Sequence, residues 1–353
     1  MMLVRAYATA SQTEAVASNG KTGLKAADIA NRLRSEKEKR ANDKKEVPVS
    51  PLQNRLQSVH TSVLAKALFR GILYQDKNII AINKPYGVPL HNVDGIRNSI
   101  VECLPLLAKI TDGMQAGSQL HLCHSLEKEN TGVLILAKTE EAAEHVQTLI
   151  RSHNVERKYF FCLLITDSLV PAYLKHNPIC FARAVTVGVP VPSEGVIDIP
   201  IIEKEVTGPQ PHFKMGLSPL FKVSEEGDGV TRVRSHWQAQ SAVTQYRVLD
   251  STSGCSLVEL QPVTGVKNQL RVHMALALTC TILGDHKYAH WNKLAPQLGL
   301  VQSKTRYLPL HLHSRRIILP GVKGHSDITV SCPLPKYFTN TLKRLQIPLP
   351  GKE

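Results

Sequence analysis

A polar stretch, LHLCHSLEKENTG at 120–132, runs without a break into the apolar run VLILA at 133–137. A short apolar run bounded by turn signals reads as a buried strand. A charged loop at the end of a buried strand is where a scaffold places reactive groups. The chain must therefore fold around this strand while its entry loop, 124–132, carries Glu127, Lys128 and Glu129. Thr139 then opens a helix. Glu140 and Glu141 stand in its first turn, where the helix dipole favours them, and Arg151 lies near its end. Ala142, Val146, Leu149 and Ile150 share one face of it.

Further strands are expected at 78–83 (NIIAIN, closed by the breaker KPYG), 242–248, 255–260 and 310–319, with a helix over 268–278. Strands follow strands rather than alternating with helices. The fold class this implies is α+β, with a mixed, largely antiparallel central sheet flanked by helices.

The formal charge of +14 favours a polyanion as partner, nucleic acid first and an acidic membrane surface second. No stretch approaches the roughly 18 consecutive apolar residues of a spanning helix, so membrane insertion is not expected. The seven cysteines are scattered and form no C-x-x-C pair, which argues for a reducing compartment and against a disulfide framework or zinc ribbon. His121, Cys123 and His124, or His311 and His313, are spaced as packed strand residues and have no accompanying fourth ligand, so no metal site is expected. Residues 1–50 form a segment apart. MMLVRAYATASQT has Arg5 and no acid before Glu14, which fits a mitochondrial presequence and equally a disordered terminus. The charged stretch 21–50 reads as a solvated helix, a basic arm or a linker. The globular domain is expected over 51–353.

Two more segments carry chemistry-bearing residues. NKPYGVPLH at 83–91 is a rigid turn leaving a strand. ELQPVTGVKNQLRVH at 259–273, followed by ILGDHKY at 282–288, uses Gly265 for a turn before a helix that presents Gln269, Arg271 and His273. These stand in order with RKY at 157–159, VIDIPIIEKE at 196–205 and LHLHSRRIILP at 310–320. From about 63 to 349 the chain resembles the RluA-type pseudouridine synthases, and within them a mitochondrial branch.

That resemblance implies isomerisation of uridine to pseudouridine in a mitochondrial rRNA, tRNA or mRNA, without metal or organic cofactor. It places the protein in the mitochondrial matrix, with cytoplasm or nucleus as the alternative, and makes other RNA-processing or ribosome-assembly proteins candidate partners. The family's catalytic loop begins His-Arg-Leu-Asp. Here it reads His124-Ser125-Leu126-Glu127-Lys128-Glu129-Asn130-Thr131-Gly132, so Glu127 stands at the catalytic aspartate and Ser125 at an arginine that fills the gap left by a flipped uridine. The resemblance makes Arg271 the partner of the carboxylate and Tyr159 the residue that packs against the target ring. Lys84, Ser125, Lys128, Lys267 and Gln269 are the expected RNA contacts. Segment 160–183 departs from the family pattern and reads as an insertion near the cleft or as sequence foreign to the mature chain. The rival reading is a non-catalytic RNA-binding factor of the same fold.

Overall fold

The computed structural model describes residues 56, 58–93, 95–113, 119–152, 179–206, 212–218, 221–223, 230–232, 236–252, 254–290, 305, 307–320 and 326–348. The first fifty residues and Tyr159 lie outside them. In chain order the elements are α1 (Thr61–Arg70), β1 (Ile72–Gln75), β2 (Ile79–Lys84), α2 (Ile100–Asp112), β3 (His121–Leu122), β4 (Thr131–Ala137) and α3 (Glu140–Ser152). Next come β5 (Ile179–Val187), β6 (Glu194–Asp198), β7 (Ile201–Val206), β8 (His212–Leu217), β9 (Phe221–Val223) and β10 (Val230–Arg232). The last are β11 (Val243–Thr252), β12 (Cys255–Pro262), α4 (Gln269–Val272), a π-helical turn over His273–Ala277, β13 (Leu312–Leu319), β14 (Ile328–Ser331) and α5 (Lys336–Arg344).

The main sheet has the order β1-β2-β4-β13-β5-β12-β11-β6, with β14 added on β13 and β3 on β4. Its one parallel pair among the described residues is β13–β4; the other pairs are antiparallel. The architecture is α+β with a mixed, largely antiparallel sheet, as the order of strands in the sequence predicts.

The run at 133–137 is apolar throughout because both faces of β4 are covered. Leu134 and Leu136 pack with Ile80 and Ile82 of β2 under Leu64 and Leu68 of α1 and Leu104 and Leu107 of α2. Successive strand residues point to opposite faces. Val133 and Ile135 accordingly join Ala143 and Val146 of α3 and Ile317 and Leu319 of β13 on the other side. At the head of β4, Gly132 has φ +111°, and a Cβ there would lie 2.1 Å from the Ser314 carbonyl oxygen. Only glycine admits β13 this close, and that approach brings the two halves of the sheet together beneath the loop.

One expectation changes, and one segment is described only in part. Helix 268–278 is four α-helical residues followed by the π-turn, with His273 buried and hydrogen-bonded to Thr244 and to the Ile199 carbonyl. The segment 160–183 has no structural boundary at Arg183. Its last five residues open β5 and pair with both β12 and β13, as in Ala182 opposite Leu260 and Ser314. Its residues 160–178 lie outside the described ones.

Candidate active site

Four segments come together around a cleft that also draws on Phe181 and Ala182 of β5 and Leu312 and Ser314 of β13, strands in the middle of the main sheet: the turn after β2, the loop 124–130 before β4, the loop 263–268 after β12, and the loop 284–288 after the π-turn. Lys84, the last residue of β2, is fully buried, and its ammonium donates to the carbonyls of Asn130 (2.8 Å), Lys128 (3.1 Å) and Pro85 (3.4 Å). The Gly87 amide donates to the same Lys128 carbonyl at 2.9 Å. The loop 124–130 is thus nailed to the preceding turn through its backbone. His124 anchors the other end: its Nε2 accepts from the Ile135 amide at 3.1 Å, and burial pushes its pKa down to about 4, so the ring is neutral.

Glu127 projects from this loop with its side chain 28% exposed. One carboxylate oxygen accepts from Arg271 Nη1 at 2.5 Å. Arg271, 5% exposed, turns its remaining edge to Asp285, with Nε to Oδ2 at 3.0 Å and Nη2 to Oδ1 at 2.7 Å. This is a two-bond fork onto a wholly buried carboxylate, the strongest way to fix a guanidinium. Burial would lower the Arg271 pKa, but the hydrogen bonds and charge of Asp285, joined by Glu127, outweigh it and raise it. The cation is permanent. Asp285 is fixed in turn by the amides of Lys287 (2.9 Å) and Tyr288 (3.0 Å), and the Tyr288 ring lies 5.4 Å from the guanidinium. Glu129, 3.8 Å from Arg271, is a second, looser carboxylate.

The Glu127 carboxylate opens into a cleft of about 730 Å³ whose walls include Leu90, Ser125, Leu126, Thr264, Lys267 and Leu312. Ser125 is exposed at its rim. Lys128 and Lys267 keep their ammonium groups outside, with side chains 40% and 66% exposed, each in a loose or exposed pair with a glutamate (Glu129 at 3.9 Å, Glu203 at 3.1 Å). Exposed pairs of this kind are weak and yield readily to a phosphate.

Two of the expected RNA contacts are corrected. Lys84 cannot reach a phosphate without abandoning three carbonyls inside the protein. Gln269, 3% exposed, spends its whole amide internally: Oε1 accepts from Thr264 (2.5 Å) and the Val266 amide (3.1 Å), and Nε2 donates to the Val243 carbonyl (2.8 Å) and Thr244 (2.9 Å). Both are struts of the two loops that bracket the cleft. Sequence reading missed Asp285 and Asn268, although both stand inside the quoted motifs. The other histidines of interest are also satisfied by packing, His311 by Pro309 and Thr341, His313 by Thr131 and Cys332.

Lys84 yields a pH prediction. Burial brings its pKa down from 10.5 to about 7, with the charges of Glu129 and Glu127 pulling the other way. Below pH 7 both folded and unfolded chains hold the proton. Between 7 and 10.5 the unfolded chain holds it and the folded one has released it, so stability rises with pH, by up to ~1.4 kcal/mol per unit. Lys84→Met is expected to cost about 3 kcal/mol at pH 7 by orphaning buried carbonyls. Its gap from wild type should widen between pH 7 and pH 9 in urea denaturation, and a gap that narrows would contradict the burial of this amine.

A partly exposed carboxylate backed by a permanent, immobile cation has the chemistry of a nucleophile or a base. The family model described as RNA pseudouridylate synthase matches residues 78–276, more than half of the chain, and the chain belongs to that family. It is 71% identical, over 99% of its length and 97% of the relative's, to pseudouridylate synthase RPUSD4, mitochondrial, of Danio rerio. It is 45% identical, over 96% of its length and 88% of the relative's, to the Homo sapiens protein of the same name. The solved structure of human RNA pseudouridylate synthase domain containing 4 is 44% identical and superposes with a TM-score of 0.67, covering 82% of this chain and 98% of that one.

Proposed function

We propose that this chain isomerises uridine to pseudouridine in a mitochondrial RNA, with Glu127 as the catalytic carboxylate. The observation that carries the reading is the Glu127 carboxylate, open to the cleft and clasped by Arg271. In the reaction the base leaves the sugar through N1 and rejoins it through C5. The C5 proton is lost and N1 gains one, so no atom is added and no redox partner is required. Glu127 attacks the sugar or takes the proton, and Arg271 holds it ionised and oriented. Tyr159, placed by the RKY motif, packs against the ring; stacking of this kind contributes about 1–3 kcal/mol per base. Lys128 and Lys267 meet the phosphates. Ser125 offers no planar cation to fill a vacated stack, so a single-stranded or loop uridine, already unpaired, is the preferred target. The RNA is an rRNA, tRNA or mRNA, and the site of action the mitochondrial matrix.

The test is incubation of the full chain with uridine-containing RNA followed by nucleoside chromatography, beside Glu127→Asp. Wild type is expected to form pseudouridine. The shorter side chain, withdrawn by about 1 Å from the position Arg271 fixes, should turn over roughly 100-fold more slowly. No product from wild type, with activity gained in Glu127→Asp, would reject the enzyme reading and leave a non-catalytic RNA-binding protein.

A further inference from the structure

The carboxylate of Glu127 is gripped from two sides, and only one of them is accounted for by Arg271. On the other stands Asn268, 7% exposed, its backbone left-handed at φ 57° and ψ 16°. With the amide turned as its neighbours require, its nitrogen donates to both Glu127 oxygens, at 2.9 Å to Oε2, and its Oδ1 accepts from Lys287 Nζ at 3.0 Å. These neighbours dictate which end of the amide faces which way, because a carboxylate only accepts and an ammonium only donates. Lys287 therefore orients the amide, and the amide orients the carboxylate.

Glutamate has one more rotatable bond than aspartate, so its carboxylate sweeps a wider arc unless something stops it. An error of about 1 Å at the reacting group is enough to cost ~100-fold. We infer that Asn268, set by Lys287, is the positioning residue that makes a glutamate usable at position 127. The inference rests on the activity proposed above. A left-handed turn alone would be served as well by glycine; what glycine cannot supply is a buried donor aimed at both oxygens. Lys287 stands behind the amide rather than against the carboxylate. The positive charge thus lends orientation while Glu127 keeps an open edge toward the cleft. The residues facing Lys287 are Arg271 and Lys267 as like charges and Glu127 and Glu129 as opposite ones, so the Asn268 oxygen gives its ammonium a defined seat in a mixed field.

Asn268→Gly preserves the backbone and deletes the amide. It is expected to lower kcat by roughly 10- to 100-fold, with KM for RNA and Tm close to wild type, and its crystal structure should show Glu127 in more than one rotamer. Asn268→Asp keeps both the volume and the left-handed preference but sets a second carboxylate against Glu127; it should lose more. Lys287→Met, which frees the amide to turn, should lose less than either. A wild-type kcat in Asn268→Gly, a loss confined to KM or Tm, or a single unchanged Glu127 rotamer would overturn the proposal. The crystallographic readout requires no turnover. A wild-type chain that formed no pseudouridine would thus defeat the activity reading alone, while the rotamer still decided the role of Asn268.

Discussion

Glu127→Gln is expected to abolish pseudouridine formation, by at least ~10⁴-fold in kcat, while leaving the protein folded and able to bind RNA. The substitution keeps volume and hydrogen-bonding length but removes both the nucleophile and the base. The fold tolerates it because Arg271 retains its two bonds to Asp285. Locally, the new amide must present its oxygen to Arg271, which turns its NH2 toward the Asn268 amide; Asn268 then has to reverse against Lys287. That conflict is worth about 1 kcal/mol, a few degrees of Tm at most. Nucleoside chromatography, RNA binding and thermal denaturation on one preparation separate these terms. The control is Glu129→Gln. Glu129 is the other carboxylate near Arg271, at 3.8 Å, and makes no short bond to it. If Glu127→Gln kept activity within tenfold and Glu129→Gln lost it, the catalytic carboxylate would be Glu129.

Much of the sheet was legible because its strands are bounded by breakers and buried in unbroken runs. NIIAIN ending at KPYG became β2, VLILA became β4, and the runs near 242–262 and 310–319 became β11, β12 and β13. The helices were less legible, though the signal for one was there. Ser99 and Glu102 form a capping box, with Ser99 Oγ accepting from the Glu102 amide and the Glu102 carboxylate accepting from the Ser99 amide. The S-x-x-E spacing announces that start. At the candidate site, the contact between Glu127 and Arg271 was expected from the family resemblance of their motifs. Asp285 was not, because its meeting with Arg271 depends on a turn at Gly284, with φ +76° and the Pro309 carbonyl oxygen 2.2 Å from where a Cβ would sit. No local pattern spells that approach. Lys84 and Gln269 were misread for a related reason: residue type suggests surface, and only the closure of two loops over them makes them interior.

Asp285→Ala should produce the largest loss of stability of any single substitution in the site, and a loss of activity at a residue that never meets the RNA. Arg271 is 5% exposed and Asp285 not at all. Removing the aspartate leaves a guanidinium in the interior with Glu127, itself partly solvated, as its one short ionic contact among the described residues. Breaking a buried pair from one side costs about 3–5 kcal/mol, and for a domain of this size that is roughly 6 °C or more in Tm. The amides of Lys287 and Tyr288 lose their shared acceptor as well, so the loop beside Asn268 loosens. With Arg271 free to follow Glu127 toward solvent, kcat should fall by ~100-fold or more. The double variant Asp285→Ala with Arg271→Met tells the two effects apart. Taking out both charges removes the orphan, so it should recover a large part of the lost Tm while remaining inactive. If the double variant were no more stable than Asp285→Ala, the cost would lie in the loop amides rather than in the stranded cation. Asp285 would then hold the 284–288 turn and not the arginine.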